Sequence, residues 1–284
     1  MCPRRPVWIP EDAPPLFPDP RSFDANGLVA GGGDLSRTRL LAAYRQGLFP
    51  WFNEPPILWW SPDPRAVIDP EHLHVSRSLL RALRKTNWRI RASWDLDGVL
   101  LGCAEREEGT WLSAEMHAAY AELGRHHHAL AYEVHDGDEL VGGLYGVLLG
   151  GLFAAESKFH RATDASKLAL MAAVTHSFAW GVRLFDVQFL TPHLESLGVY
   201  ELPRELYLER LGPLTAEPAP LASEPAPSTA LAAPHPSQAA DGLLGLPSGP
   251  PGVGVDLVPW LRSRFDSSPS LGGGLGSSLP PRPE

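Results

Sequence analysis

The chain has 284 residues, a formal net charge of −9 and two cysteines, Cys2 and Cys103. That charge argues against binding nucleic acid over the whole surface, so such a partner has to meet a local basic patch, and two cysteines do not build a disulfide scaffold. The longest uncharged stretch, 140–155, is too short and too glycine-rich for the roughly 20 apolar residues that span a bilayer, and no signal-like succession opens the chain; a cytoplasmic protein with no membrane partner is expected.

In chain order, the first 15 residues are proline-rich and predicted to be irregular. Turns at 17–20 and 31–34 lead to a helix over 37–46, capped by Ser36 or Asp34 and ended by Gly47. Residues 49–60 crowd Trp51, Phe52, Trp59 and Trp60 among prolines, which reads as the core of a small N-terminal domain, with a base-stacking surface as the alternative. The stretch 76–85 is helical, with Arg77, Arg81 and Arg84 on one side and Leu79, Leu80 and Leu83 on the other, so the basic stripe faces outward. Lys85, Arg89 and Arg91 extend it. A strand at 88–92 and helices at 96–106 and 114–123 follow, Cys103 being a small core residue and Trp111, just before the second helix, either a core indole or a flat stacking face. His126, His127 and His128 cannot all face one ion on a regular element, so they are read as a loop and no metal site is expected. A strand at 130–134 and a turn at 136–138 come next.

The most informative stretch is 140–190. Two apolar runs around Gly150-Gly151 predict a hairpin, and Gly142, Gly143 and Gly146 inside it mark either a bulge or close approach of a ligand to the backbone. Glu156 arrives where the hairpin leaves its apolar stretch. Thr163 or Asp164 is placed to cap a helix over 165–180 with Leu168, Met171, Val174 and Phe178 on one face. In the strand 184–190, alternation puts Asp186 and Gln188 on one face. If that face is buried, both need partners or ligands, since an unpaired buried polar group costs roughly 1 to 3 kcal/mol. After 211 the chain turns to Pro, Ala, Ser, Gly and Leu and is predicted to be disordered, with one sticky segment, 255–265, containing Val258, Trp260 and Leu261.

Residues 140–145, Glu156-Ser157, Ala165-Ser166-Lys167, Asp186-Val187-Gln188, and His193 with Ser196-Leu197-Gly198 resemble, in order and spacing, the bacterial leucyl/phenylalanyl-tRNA-protein transferases. Gly32-Gly33-Asp34-Leu35, Phe49-Pro50-Trp51, the run 59–65 and Thr110-Trp111 extend the likeness into the N-terminal half. It implies transfer of Leu or Phe, with Met as a third candidate, from aminoacyl-tRNA to the N-terminal Arg or Lys of a protein, marking that protein for degradation. It also implies an α+β monomer: a small N-terminal domain (1–62), a catalytic domain similar to the GNAT-type acyltransferases (63–211) and a tail (212–284).

An aminoacyl ester is already activated, so amide formation needs neither ATP, coenzyme A, metal nor any other cofactor. A free α-amine has a pKa of about 8, so roughly a tenth is nucleophilic at pH 7 and a modest base suffices. Asp186 and Gln188 are the expected catalytic pair, the carboxylate polarising an amide whose oxygen takes the proton. Glu156 offers a negative charge to the cationic acceptor, and Leu144, Phe153 and Leu170 are the candidates for the pocket that takes the acyl side chain. With the resemblance in view, Trp111 becomes the stacking platform for the 3′-terminal adenosine, and Arg77, Arg81 and Arg84 become the tRNA phosphate contacts. Two departures from the family pattern bear on acceptor preference and pocket shape: Lys158-Phe159-His160 replaces a series ending Met-Phe-Ser, and Ala155 replaces Gly. Of the rival readings, a coenzyme A-dependent acetyltransferase is disfavoured because the loop 158–167 has no glycine to cradle a pyrophosphate; a non-catalytic interaction protein using the proline-rich tail is the other.

Overall fold

The computed structural model describes residues 3–105, 112–217 and 252–266. Four short strands, β1 (Val7–Ile9), β2 (Leu28–Gly32), β3 (Phe49–Pro50) and β4 (Leu58–Trp60), form an N-terminal sheet in the order β1-β2-β4-β3, with helix α1 (Arg37–Arg45) beside it. The N-terminal segment expected to be irregular thus contains β1, which pairs in parallel with β2. The buried Arg39 guanidinium holds the prolines that follow, donating to the carbonyls of Glu11, Ala13 and Pro14 and to Asp34.

The second sheet has seven strands: β5 (Arg65–Ile68), β6 (Arg89–Ser93), β7 (Ala129–Asp136), β8 (Glu139–Leu149), β9 (Leu152–His160), β10 (Leu184–Gln188) and β11 (Tyr200–Leu202), in the order β11-β5-β10-β9-β8-β7-β6. Helices α2 (Arg77–Lys85), α3 (Asp97–Ala104), α4 (Ala114–Arg125), α5 (Ala165–Ala179), α6 (Pro192–Glu195) and α7 (Arg204–Ala216) pack around it. Ser36, Ser76 and Ser113 cap α1, α2 and α4 through their hydroxyls. Asp164 stands at the start of α5, but its φ of 70° turns the carboxylate away from the helix, and it pairs with Lys167 instead. Nor has α5 a single apolar face, because it is buried on almost every side.

The β8–β9 hairpin forms as expected, and its glycines have a packing reason. A β-carbon on Gly142 would stand 2.6 Å from that of Ala165, and one on Gly143 would stand 2.8 Å from Val99. These positions let α5 and α3 lie close on the sheet; they do not admit a ligand. Gly146 sits at a bulge, as the other reading had it.

Of the chain beyond 211, the described residues are largely helical where a disordered tail is expected, and the segment expected to be sticky, 255–265, docks. Residues 212–216 complete α7, and an eighth helix, α8 (Val258–Asp266), docks on the body through buried Leu257, Val258 and Leu261. Gly254 and Leu257 donate backbone N–H groups to the Ala92 and Ile90 carbonyls on the edge of β6. Asp256 accepts from the Ile90 N–H, and the Arg262 guanidinium donates to the Leu83 and Thr86 carbonyls at the end of α2. A few apolar side chains suffice for docking because the sheet edge supplies unpaired backbone groups.

Among the described residues no helix is long and apolar enough to cross a membrane.

Candidate active site

Two bulges on neighbouring strands build the site. On β9, Ser157 faces Tyr145 and Ala155 faces Gly146, leaving Glu156 as the extra residue. On β10, Asp186 faces Val67 and Gln188 faces Ala66, leaving Val187 as the extra residue. The parallel pairing of β9 with β10 stops at Ala154 and Asp186, and the strands part beyond it. Glu156 and Gln188 stand on either side of this fork.

Two cavities meet there, sharing Glu156, Val187, Gln188 and Leu194. The smaller, about 190 Å³, runs between β9 and α5 and is walled by Leu144, Ala155, Ser157, Lys158 and Leu170. The larger, about 410 Å³, opens toward the N-terminal sheet and is walled by Phe49, Pro50, Trp51, Phe189 and Thr191. Trp51 lies 5.9 Å from Phe189 and 5.8 Å from Trp60, ring centre to ring centre, so that wall is aromatic and half-exposed.

Asp186 lies behind this surface, fully buried. Its Oδ1 accepts from Arg65 Nε (2.9 Å) and from the Gln188 backbone N–H (2.9 Å), and its Oδ2 accepts from Arg65 Nη2 (2.7 Å) and the Tyr207 hydroxyl (2.8 Å). The Arg65 guanidinium is itself wedged over the rings of Phe49 and Tyr207 and donates to the Gly47 carbonyl. The sequence reading has Asp186 act on the Gln188 side chain, by polarising or orienting it. The bulge instead turns Gln188 into the left-handed region, φ 61°, and presents its backbone N–H to the carboxylate. Gln188 is 8% exposed, and its Nε2 has no partner among the described residues.

Glu156 is held by a chain of phenols. The Tyr120 hydroxyl donates to its Oε2 at 2.9 Å and lies 2.7 Å from the Tyr44 hydroxyl, while Oε1 is buried without a partner among the described residues. Burial pushes the carboxyl up to about 7, against the pull of the two tyrosines. Below its ordinary 4.5 the group is protonated whether the chain is folded or not; between 4.5 and about 7 the folded state binds more protons. Its contribution to stability is therefore present in full at low pH and lost as the pH rises through 7. Glu156→Gln should remove that dependence, leaving stability at pH 4 unchanged and raising it at pH 8 by on the order of 1 to 2 kcal/mol, a figure reduced for partial exposure. Urea denaturation at the two pH values checks it, and equal effects at both would refute the assignment.

Of the remaining expected site residues, Leu144 and Leu170 line the smaller cavity. Phe153 does not: it is fully buried and stacks on Phe185, with ring centres 4.8 Å apart. Trp111 lies outside the described residues. Arg77, Arg81 and Arg84 point outward from α2 as expected. The patch does not continue along β6, where Arg91 pairs with Glu133 and Arg89 with Asp138. Of the histidine run, His126 bonds Glu122 and His127 stacks on Trp94. Sequence reasoning missed Phe189, Arg65, Tyr44, Tyr120 and Tyr207, and it gave Trp51 only as one of the 49–60 aromatics, read as core with base stacking as the alternative. Trp51 and Arg65 stood inside motifs that carried the resemblance; the tyrosines gave no signal, since in a helix they look like any core aromatic.

The profile of the leucyl/phenylalanyl-tRNA protein transferases matches residues 67–212, and that of their N-terminal domain matches 33–63. The chain belongs to this family. It is 49% identical over 204 residues to the leucyl/phenylalanyl-tRNA–protein transferase of Pseudomonas syringae pv. syringae, covering 70% of this chain and 88% of the relative. It is also 49% identical over 209 residues to that of Anaeromyxobacter dehalogenans, covering 72% and 90%. Among solved structures, L-PGS from Bacillus licheniformis matches at 11% identity and a TM-score of 0.34, covering 59% of this chain and 57% of that one, too distant a likeness to assign a GNAT-type fold. In this member of the family, α8 lies beyond the matched region.

Proposed function

We propose that the protein transfers Leu or Phe from aminoacyl-tRNA to proteins whose N-terminal residue is Arg or Lys, acting in the cytoplasm as a monomer and marking those proteins for degradation. The observation that carries this reading is the meeting, at Glu156 and Gln188, of a small cavity that presents Leu144 and Leu170 among polar side chains with a larger, aromatic-walled one. A donor of this kind is an amino-acid side chain and an adenosine joined through an ester. The acyl side chain fits against Leu144 and Leu170, the adenine against Trp51 and Phe189, and the ester carbonyl then falls at Gln188.

At that point the incoming α-amine attacks the carbonyl carbon, the new C–N bond forms, and the ribose oxygen leaves with the electron pair of the broken ester bond and takes up the proton that the amine gives up, so that the products are an amide and a ribose hydroxyl. Gln188 orients the reacting groups and Glu156 lies beside them, near its midpoint of ionisation at neutral pH and so able to receive a proton from the amine or to face its positive charge. Asp186 is a positioning residue, fixing Gln188 through its backbone. The parting of β9 from β10 supports a GNAT-like reading of the catalytic domain. Incubating the purified chain with charged tRNA and a peptide bearing N-terminal Arg or Lys should give a longer peptide without added metal, ATP or coenzyme A. No transfer, or transfer abolished by chelators and restored by one metal, would overturn the proposal.

A further inference from the structure

The C-terminal helix α8 lies against α2, the helix whose outward stripe is proposed above as the tRNA contact, and its charges are not spread evenly. Asp256 is engaged with the edge of β6, Arg262 with the carbonyls at the end of α2, and Arg264 lies over the ring of Trp260. Asp266 instead reaches across to the stripe itself. Its Oδ1 accepts from both Arg84 Nε (2.8 Å) and Arg84 Nη2 (2.7 Å). Those two N–H groups form the edge of the guanidinium that would otherwise grip a phosphate bidentately. Arg77 and Arg81 make no ion pair among the described residues, so one of the three arginines of the stripe is occupied by the chain's own carboxylate.

We infer that α8 acts as an electrostatic brake on RNA binding, with Asp266 competing with a tRNA backbone phosphate for Arg84. Both partners are about half exposed, so the pair is weak and salt-screened. A phosphodiester can displace the carboxylate, and the displacement subtracts from the binding free energy without blocking the surface. The docking of α8 is what makes the competition local: Leu257, Val258 and Leu261 are buried against the body, so Asp266 is held beside Arg84 and is not diluted by a free tail. The inference rests on the reading of the stripe as a tRNA surface.

Titrating the full-length chain with unacylated tRNA between 50 and 200 mM salt tests both and separates them. Asp266→Asn should tighten binding by about 3- to 5-fold at the lower salt and steepen the slope of log K against log salt by up to about one, because no carboxylate is then left to recruit a cation when the phosphate takes Arg84. In an Arg84→Ala background the same substitution should have no effect. Asp266 is an exposed side chain, and an unchanged thermal midpoint confirms that the variant is folded. If Asp266→Asn leaves affinity and slope unchanged in a chain that Arg84→Ala weakens, or if it weakens binding, the brake is refuted while the stripe stands. If charge reversal at Arg77, Arg81 and Arg84 together leaves tRNA binding intact, the stripe reading falls, and the brake with it.

Discussion

Replacing Asp186 with alanine should lower the unfolding free energy by about 3 to 5 kcal/mol, the usual cost of removing one partner of a buried ion pair. Among the described residues the Arg65 guanidinium would keep the Gly47 carbonyl, two aromatic faces and the more distant Glu156, with no carboxylate bonded to it in a buried site. Tyr207 and the Gln188 N–H would lose their acceptor at the same time. Activity should fall too, but as a consequence of displacing Gln188. A double variant, Arg65→Met with Asp186→Leu, separates the two effects, since apolar residues of similar size often replace a buried pair at little cost. It should regain most of the stability and little of the turnover. Chemical denaturation beside single-turnover rates makes the comparison; an Asp186→Ala protein as stable as the parent would show that the pair is not what holds the fork.

Gln188→Ala should do the reverse, lowering turnover by about 10² to 10⁴, the scale of proton management and orientation, while changing stability by no more than about 1 kcal/mol. Among the described residues its Nε2 makes no bond that the substitution could remove, and relief of that unpaired donor offsets the cost of alanine in a left-handed conformation. The loss should appear in turnover and not in tRNA affinity, because the proposed phosphate contacts lie on α2, away from Gln188. Near-parental turnover from a folded Gln188→Ala chain would leave substrate-assisted transfer within a positioning pocket as the better account.

The contrast between these variants was not visible in the sequence, for a local reason. Leu184-Phe185-Asp186-Val187-Gln188 alternates cleanly and contains no glycine or proline to announce a bulge, so both polar side chains were placed on one face. The irregularity is imposed by Arg65, 121 residues away, which draws Asp186 inward. Where patterning alone decides, as in the β8–β9 hairpin, α2 and its outward arginines, the reading and the structure agree. The packing role of Gly142 and Gly143 needed knowledge of which helices cross the hairpin. For α8 the signal was weaker still: a nine-residue amphipathic piece in a proline- and glycine-rich stretch, whose partner strand is 166 residues distant.

The bonds that join the two sheets also limit how the protein can move. Arg65 ties β5 and β10 to Gly47 and Phe49, and the buried Arg204 guanidinium at the head of α7 donates to the carbonyls of Phe23, Asp24 and Ser61. These fastenings hold the segment that carries the aromatic wall against β5, β10 and α7. If the larger cavity takes the end of the tRNA as proposed, it works as a slot and not a jaw: the end threads in, and the discharged end withdraws along the same track before a second donor enters.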